Sequence, residues 1–243
     1  MSRYAQRYAT IWNQFTRLTY THDLLAAERR GWRRWLLHPY VGFIIQIDDP
    51  AVLDQLGEWQ SALQPWFQYD PIPPEQFHIS LHHVGMLRRA WWLRLPNLWQ
   101  RDALPQLAER VRVALADCPA FTVQIGPLNA FSNILFAEVG GNDEALRWLR
   151  VKLRKALPLR ARPPSPWPYV PHVTLGYWGD QPAAPIREAL RPFRDIKPIP
   201  LRVRLIEFTI YTLDATPNRR DLFRTAQEEI IANYHLKDDP ERD

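Results

Sequence analysis

Residues 41–49 read "VGFIIQIDD", an apolar run rich in β-branched residues that predicts a buried strand. The period then changes. In "PAVLDQLGEWQSALQPW" the apolar positions Val52, Leu53, Leu56, Trp59 and Leu63 follow helical spacing, with proline in the first turn. Pro71, Pro73 and Pro74 lead into "EQFHISLHHVG" (75–85), which alternates as a strand does. "DALPQLAERVRVALADC" predicts a helix, and "FTVQIGPL" at 121–128 a strand ended by Gly126 and Pro127. The second half replays this order. "NILFAEVGG" (133–141) predicts a strand, "NDEALRWLRVKLRKAL" (142–157) a helix capped by Asn142, and "YVPHVTLGYW" another strand. A helix around 183–193 and one long strand, "IPLRVRLIEFTIYTL", complete the set. Strand, helix, motif strand, helix, strand thus occurs twice. This predicts two duplicated lobes rather than a solenoid, whose period would be roughly 20 to 50 residues.

The expected organisation is therefore α+β and bilobal. Two pseudo-symmetric lobes, each an antiparallel-rich sheet flanked by helices, would enclose a central cleft within residues 41–213. Residues 1–40, with Trp12, Phe15, Leu18, Trp32, Trp35 and Leu36, predict a helical extension laid over one lobe; 214–243 predicts a helix and a charged tail.

The candidate chemistry sits on the two motif strands. Side chains alternate faces in a strand, so His78 and Ser80 share one face while Phe77, Ile79 and Leu81 anchor the other. "HVTL" at 172–175 repeats the arrangement with His172 and Thr174. Of the seven histidines only these two are followed by a hydroxyl residue at +2 and leucine at +3. On composition alone such a double occurrence arises about one time in fifty. His82 would share the His78 face and His83 would point with the anchors. Two imidazoles facing each other can divide base and acid roles near neutrality, while the hydroxyls donate to the negative oxygens of a phosphodiester. Acyl transfer fits less well, because no G-x-S-x-G elbow is present. Spacings typical of metal sites are missing too, so the expectation is no metal and no cofactor.

Charge narrows the partner. The net charge of +5 is unevenly spread: residues 41–85 carry six acids and no Lys or Arg, whereas 86–170 carry thirteen basic residues against six acidic ones. That basic segment also contains Trp91, Trp92, Trp99, Trp148 and Trp167, as an electropositive aromatic surface for a phosphate-bearing or single-stranded ligand would. The same residues could equally pack and solvate a helical surface. A single cysteine, Cys118, and the lack of long apolar runs suit a monomer in the cytoplasm with no membrane partner.

"HISL" and "HVTL", about ninety residues apart on matching strands, resemble the paired signature of the two-histidine (2H) phosphoesterase superfamily, which includes 2′-5′ RNA ligase-like proteins and 2′,3′-cyclic nucleotide phosphodiesterases. "GPLNAFSNILFAEV" (126–139) resembles the link into its second lobe. The resemblance covers roughly residues 41–212. It implies a metal-independent phosphodiesterase acting on 2′,3′-cyclic phosphate RNA ends or small cyclic nucleotides, with reversible 2′-5′ RNA ligation as a related activity. His78 and His172 would be catalytic, and Ser80 and Thr174 would bind the phosphate. Phe131, Tyr177, Arg160 and Arg162 are further substrate-binding candidates; the loop carrying the two arginines could also be a proline-braced connector. Ser80 stands where threonine is commoner in the family, which keeps the hydroxyl. Residues 1–40 and the insertion 87–101 have no counterpart. The alternative is a module that binds RNA or nucleotide phosphate ends without turnover.

Overall fold

The structure, a computed structural model, describes residues 2–23, 39–87, 98–158, 168–213 and 226–238. Its helices are α1 (Arg3–Phe15), α2 (Pro50–Leu63), α3 (Leu104–Leu115), α4 (Asp143–Ala156) and α5 (Ala183–Leu190). Its strands are β1 (Tyr40–Gln46), β2 (His78–Leu87), β3 (Leu98–Trp99), β4 (Phe121–Ala130), β5 (Ile134–Gly140), β6 (His172–Tyr177), β7 (Ile199–Val203), β8 (Leu205–Thr212) and β9 (Gln227–His235).

The helices begin where their sequences satisfy the first backbone N–H groups. Ser2 accepts from Ala5, Asp49 from Ala51 and Val52 with Pro50 in the first turn, and Asn142 from Ala145. Helix α4 also places Asp143 and Glu144 in its first turn and Arg154 and Lys155 in its last, which complements the helix dipole at both ends.

The strands form one sheet in the order β7, β4, β5, β6, β2, β1, β8, β9, with short β3 parallel beside β2 and every other pairing antiparallel. Two four-strand halves, β7-β4-β5-β6 and β2-β1-β8-β9, meet where the motif strands β6 and β2 lie side by side. The halves exchange strands: β4, from the first part of the chain, lies beside β5, and β8, from the last part, lies beside β1. The lobes expected from the repeated element order are thus present as an α+β fold, interleaved through that exchange.

Three sequence expectations are corrected. Residues 199–213 are two strands, because Ile199–Val203 pairs with β4 while Leu205–Thr212 crosses to β1; exposed Arg204 marks the switch. Residues 227–235, expected as part of a C-terminal helix, form β9. The open edge of β8 supplies a ladder, and buried Tyr234 packs on Phe43 while its hydroxyl donates to the Ala108 carbonyl, 3.0 Å. Strand β4 does not stop at Gly126–Pro127. Its register slips between Ile125 and Leu128, and the chain continues to Ala130.

Helix α1 presents Tyr4, Tyr8 and Phe15 as a buried face. Tyr8 tilts against Phe136 with ring centroids 6.3 Å apart, and Phe136 stands opposite Thr174 in the β5–β6 register. Cross-strand partners share a face, so α1 lies on the side of the sheet that carries the motif side chains. Among the described residues no helix is long and apolar enough to cross a membrane.

Two glycines make opposite predictions. A Cβ on Gly176 of β6 would fall inside the Phe67 ring, 2.6 Å from both Cε atoms, so Gly176→Ala should cost about 1–3 kcal/mol in urea denaturation. Gly57, inside α2, has nothing within 4 Å of that position. Gly57→Ala should stabilise by about 1 kcal/mol in the same assay, and a loss of stability there would show α2 to be less regular than described.

Candidate active site

Strands β2 and β6 are paired at Ile79 and Val173, both fully buried. Antiparallel pairing at that point sets His78 opposite Thr174 and Ser80 opposite His172, with all four side chains on the face away from the buried pair. The two imidazoles therefore lie on a diagonal, about 7–8 Å apart at their Cα atoms. The structure brings together the four residues that the sequence singled out.

Both imidazoles are held in the same way. His78 Nδ1 lies 2.9 Å from the Gln76 carbonyl and His172 Nδ1 lies 2.8 Å from the Val170 carbonyl, in each case two residues back along the chain. A carbonyl only accepts, so Nδ1 carries the proton and Nε2 keeps its lone pair in the neutral ring. Burial holds both histidines below the ordinary imidazole pKa, partly offset by those carbonyls. His172 is lowered further by His78 itself, so the pair takes up one proton more readily than two.

Tyrosines brace each segment that precedes a motif. Tyr211 donates to the Gln76 side chain, 3.0 Å, on the His78 side. On the other side the buried Tyr8 hydroxyl reaches the Val139 and Pro171 carbonyls and accepts the Val139 N–H, 3.0 Å. Tyr169 spans the seam, donating to the Ser80 carbonyl at 3.0 Å. Beneath His172, its partner Glu138 on β5 is buried in an ion pair with Arg194 (2.6 Å) and accepts from Asn129 (2.7 Å). Tyr169 lies within the quoted run before His172, where the sequence already draws attention. Tyr8 and Tyr211 reach the motifs from 163 and 135 residues away, and no local pattern marks them.

The remaining candidates divide. Phe131 stands edge-on to His172, 5.6 Å between centroids, and stacks on Phe136, which also meets His172 at 5.3 Å. Tyr177 packs edge-on against Tyr69 at 6.4 Å; on the His78 side, burial raises the pKa of Tyr211, with Tyr177 adding to it. Arg160 and Arg162 lie outside the described residues. His82 is buried and His83 exposed, the reverse of simple alternation. A register shift between Ser80 and His82 flips the faces, and His83 rests against Tyr40 with ring centroids 5.5 Å apart. Of the tryptophans read as an aromatic surface, Trp99 is core and bonds the Val84 carbonyl, while Trp148 is exposed under Lys152. Among the described residues no three His, Cys, Asp or Glu side chains assemble as a metal-binding group.

An open groove reaches this pair from one side. It is lined by Ser80, His172, Phe131 and Tyr169 and continues between α1 and α4.

The fold is shared with solved proteins. TT0787 of Thermus thermophilus superposes with a TM-score of 0.57 at 16% identity, over 82% of this chain and 99% of that one. The apo form of LigT from E. coli gives 0.56 at 14% identity, and LigT complexed with 3′-AMP gives 0.55 at 14%, both over the same shares of the two chains. No curated protein matches the chain by sequence. Residues 48–215, which include both motifs, match the model of the 2′-5′ RNA ligase superfamily, and the chain belongs to that superfamily of two-histidine phosphoesterases.

Proposed function

We propose that this protein is a phosphodiesterase that opens 2′,3′-cyclic phosphates on RNA ends or small nucleotides. The observation that carries the reading is the matched pair of imidazoles. Each is fixed through Nδ1 by a carbonyl, and the hydroxyl of the opposite motif lies directly across the seam. The crystallisation of LigT, of the same fold, with 3′-AMP supports a nucleotide in such a cleft.

The chemistry follows from the geometry. A neutral imidazole takes a proton from water through Nε2, and the water oxygen forms a bond to phosphorus. The bond from phosphorus to one ribose oxygen breaks, and the second, protonated imidazole gives its proton to that oxygen. Ser80 and Thr174 donate to the non-bridging oxygens as charge builds on them. Near the seam, burial strengthens these contacts relative to water. Water as nucleophile gives hydrolysis; a ribose hydroxyl in its place gives strand joining by the same proton transfers.

His78→Ala and His172→Ala should each lower kcat on 2′,3′-cyclic nucleotides by about 10²–10⁴-fold, and Ser80→Ala or Thr174→Ala by about a hundredfold. Assays by chromatography of the monophosphate product, run with and without a chelator, check this. Unchanged turnover in either histidine variant sinks the assignment. Tight binding of intact cyclic nucleotide at high protein concentration would favour a binding module.

The pH profile follows from the shifts. Both imidazoles are displaced below the ordinary value of about 6.5, and the reaction needs one protonated and one neutral ring. Above both pKa values each further pH unit removes the acid about tenfold; below both, the base is lost. Measured from about pH 4.5 to 8.5, kcat/KM should peak below about 6.5 and fall towards the alkaline end. A maximum above pH 7.5 would assign the acid to another group.

A further inference from the structure

The groove that reaches His172 and Ser80 runs on between α1 and α4, and nothing in the proposed chemistry uses that extension. Its wall from α4 carries Arg147, Arg150 and Arg154, at i, i+3 and i+7, which places them in one stripe. The wall from α1 adds Arg3 and Arg7. Against these five arginines stand Asp143 and Glu144, and the Asp143 carboxylate is engaged by the Tyr4 backbone N–H at 3.0 Å.

The arginines play two different parts. Arg7 donates to the Tyr169 carbonyl at 2.5 Å and Arg150 lies over the Tyr169 ring, 3.3 Å from its centroid, so both hold the tyrosine that bonds to Ser80. Arg3, Arg147 and Arg154 are exposed, and among the described residues none of them pairs with a carboxylate. Like charges gathered along a groove repel one another unless an anion lies between them. Arg147 and Arg154 are two turns apart, about 10 Å along the helix axis, so one phosphate cannot satisfy both. The groove encloses about 2150 Å³, whereas a small-molecule site holds roughly 300–1,000 Å³. The buried Tyr4 ring meets Tyr169 edge to face at 6.2 Å, and half-buried Phe131 stands at the end nearest His172. Positive charges spaced along an open channel that ends at an aromatic ring suit a single strand, whose backbone carries a phosphate at every nucleotide.

From this juxtaposition we infer that the groove between α1 and α4 binds the single-stranded RNA leading up to the terminal phosphate. The inference rests on the proposed reading for the position of that phosphate. A 2′,3′-cyclic phosphate ends its strand at the 3′ side, so the body of the strand lies on its 5′ side and leaves the seam past His172, Tyr169 and Phe131. Helix α1 lies outside residues 48–215, which the superfamily model matches.

The test is direct binding, read independently of turnover. A fluorescent single-stranded RNA of eight nucleotides ending in a 2′,3′-cyclic phosphate is titrated with the full-length protein and with Arg147→Ala/Arg154→Ala, by anisotropy over a range of salt concentrations. Both positions are exposed, so the variant keeps the packing of α4; thermal unfolding checks that it does. Losing two phosphate contacts should weaken binding at least tenfold and flatten the log–log salt dependence by roughly 1.4. The ratio of kcat/KM for the octamer to that for a cyclic mononucleotide should fall in step. Equal affinity and equal salt slope for the two proteins overturn the groove assignment. If neither substrate is turned over while the wild-type protein still binds RNA more tightly than the variant, the phosphodiesterase reading fails and the groove stands.

Discussion

Ile79 and Val173 join the two halves of the sheet, and the cleft exists because the ladder between β2 and β6 is so short. Apart from short β3 beside β2, the other neighbouring strands are zipped along five or more residues: β1 with β2, β4 with β7, β8 with β9. A full ladder between β2 and β6 would have set their side chains in a closed row. With a single buried pair at the contact, the strands are free to diverge on either side of it, and of the polar side chains that flank the pair Ser80 is exposed while His78, His172 and Thr174 are half-buried. The same pair sets which hydroxyl faces which histidine, so a one-residue slip of either strand at the seam would turn its imidazole into the core.

The internal two-fold relation governs the motif strands and stops at the groups that support them. Each histidine is fixed by the carbonyl two residues before it, but the supports behind those carbonyls differ: a tyrosine from β8 on one side, a tyrosine from α1 on the other. Phe131 and Phe136 crowd His172 alone. The two rings therefore share a tautomer and differ in surroundings. That combination separates two chemically identical groups without changing their bonding.

The sequence made the site more legible than the path of the chain. His78, Ser80, His172 and Thr174 stand out because strand geometry converts their spacing into a shared face, and the caps at Asp49 and Asn142 are equally local. Strand exchange is not local. Nothing within "IPLRVRLIEFTIYTL" says that Arg204 is where the chain leaves one half of the sheet for the other, since both pieces alternate as strands do. Residues 227–235 read as helix because their few apolar side chains gain a partner only when β8 offers its edge. His83 departs from its expected face for a related reason: alternation holds only until a bulge, and the bulge in β2 arises from its pairing with β1. Arg160 and Arg162, candidates by their charge and their place in the loop just before the second motif, lie outside the described residues.

Strand exchange also governs how the molecule can be made. Tyr40 of β1 pairs with Tyr211 of β8, a separation of 171 positions, so that flank of β1 has no neighbour until β8 has left the ribosome. Until then β1 and β2 form a ribbon with one bare edge, whereas β4 meets β5 at once in a local hairpin and waits only for β7. The half β7-β4-β5-β6 comes from the continuous stretch 121–203, whereas β2-β1-β8-β9 draws its strands from both sides of it and cannot complete its sheet from one stretch of sequence. The protein is therefore a single cooperative unit despite its repeated pattern, and a polypeptide cut between β4 and β5 would yield two pieces that each expose the strand edges they cannot cover.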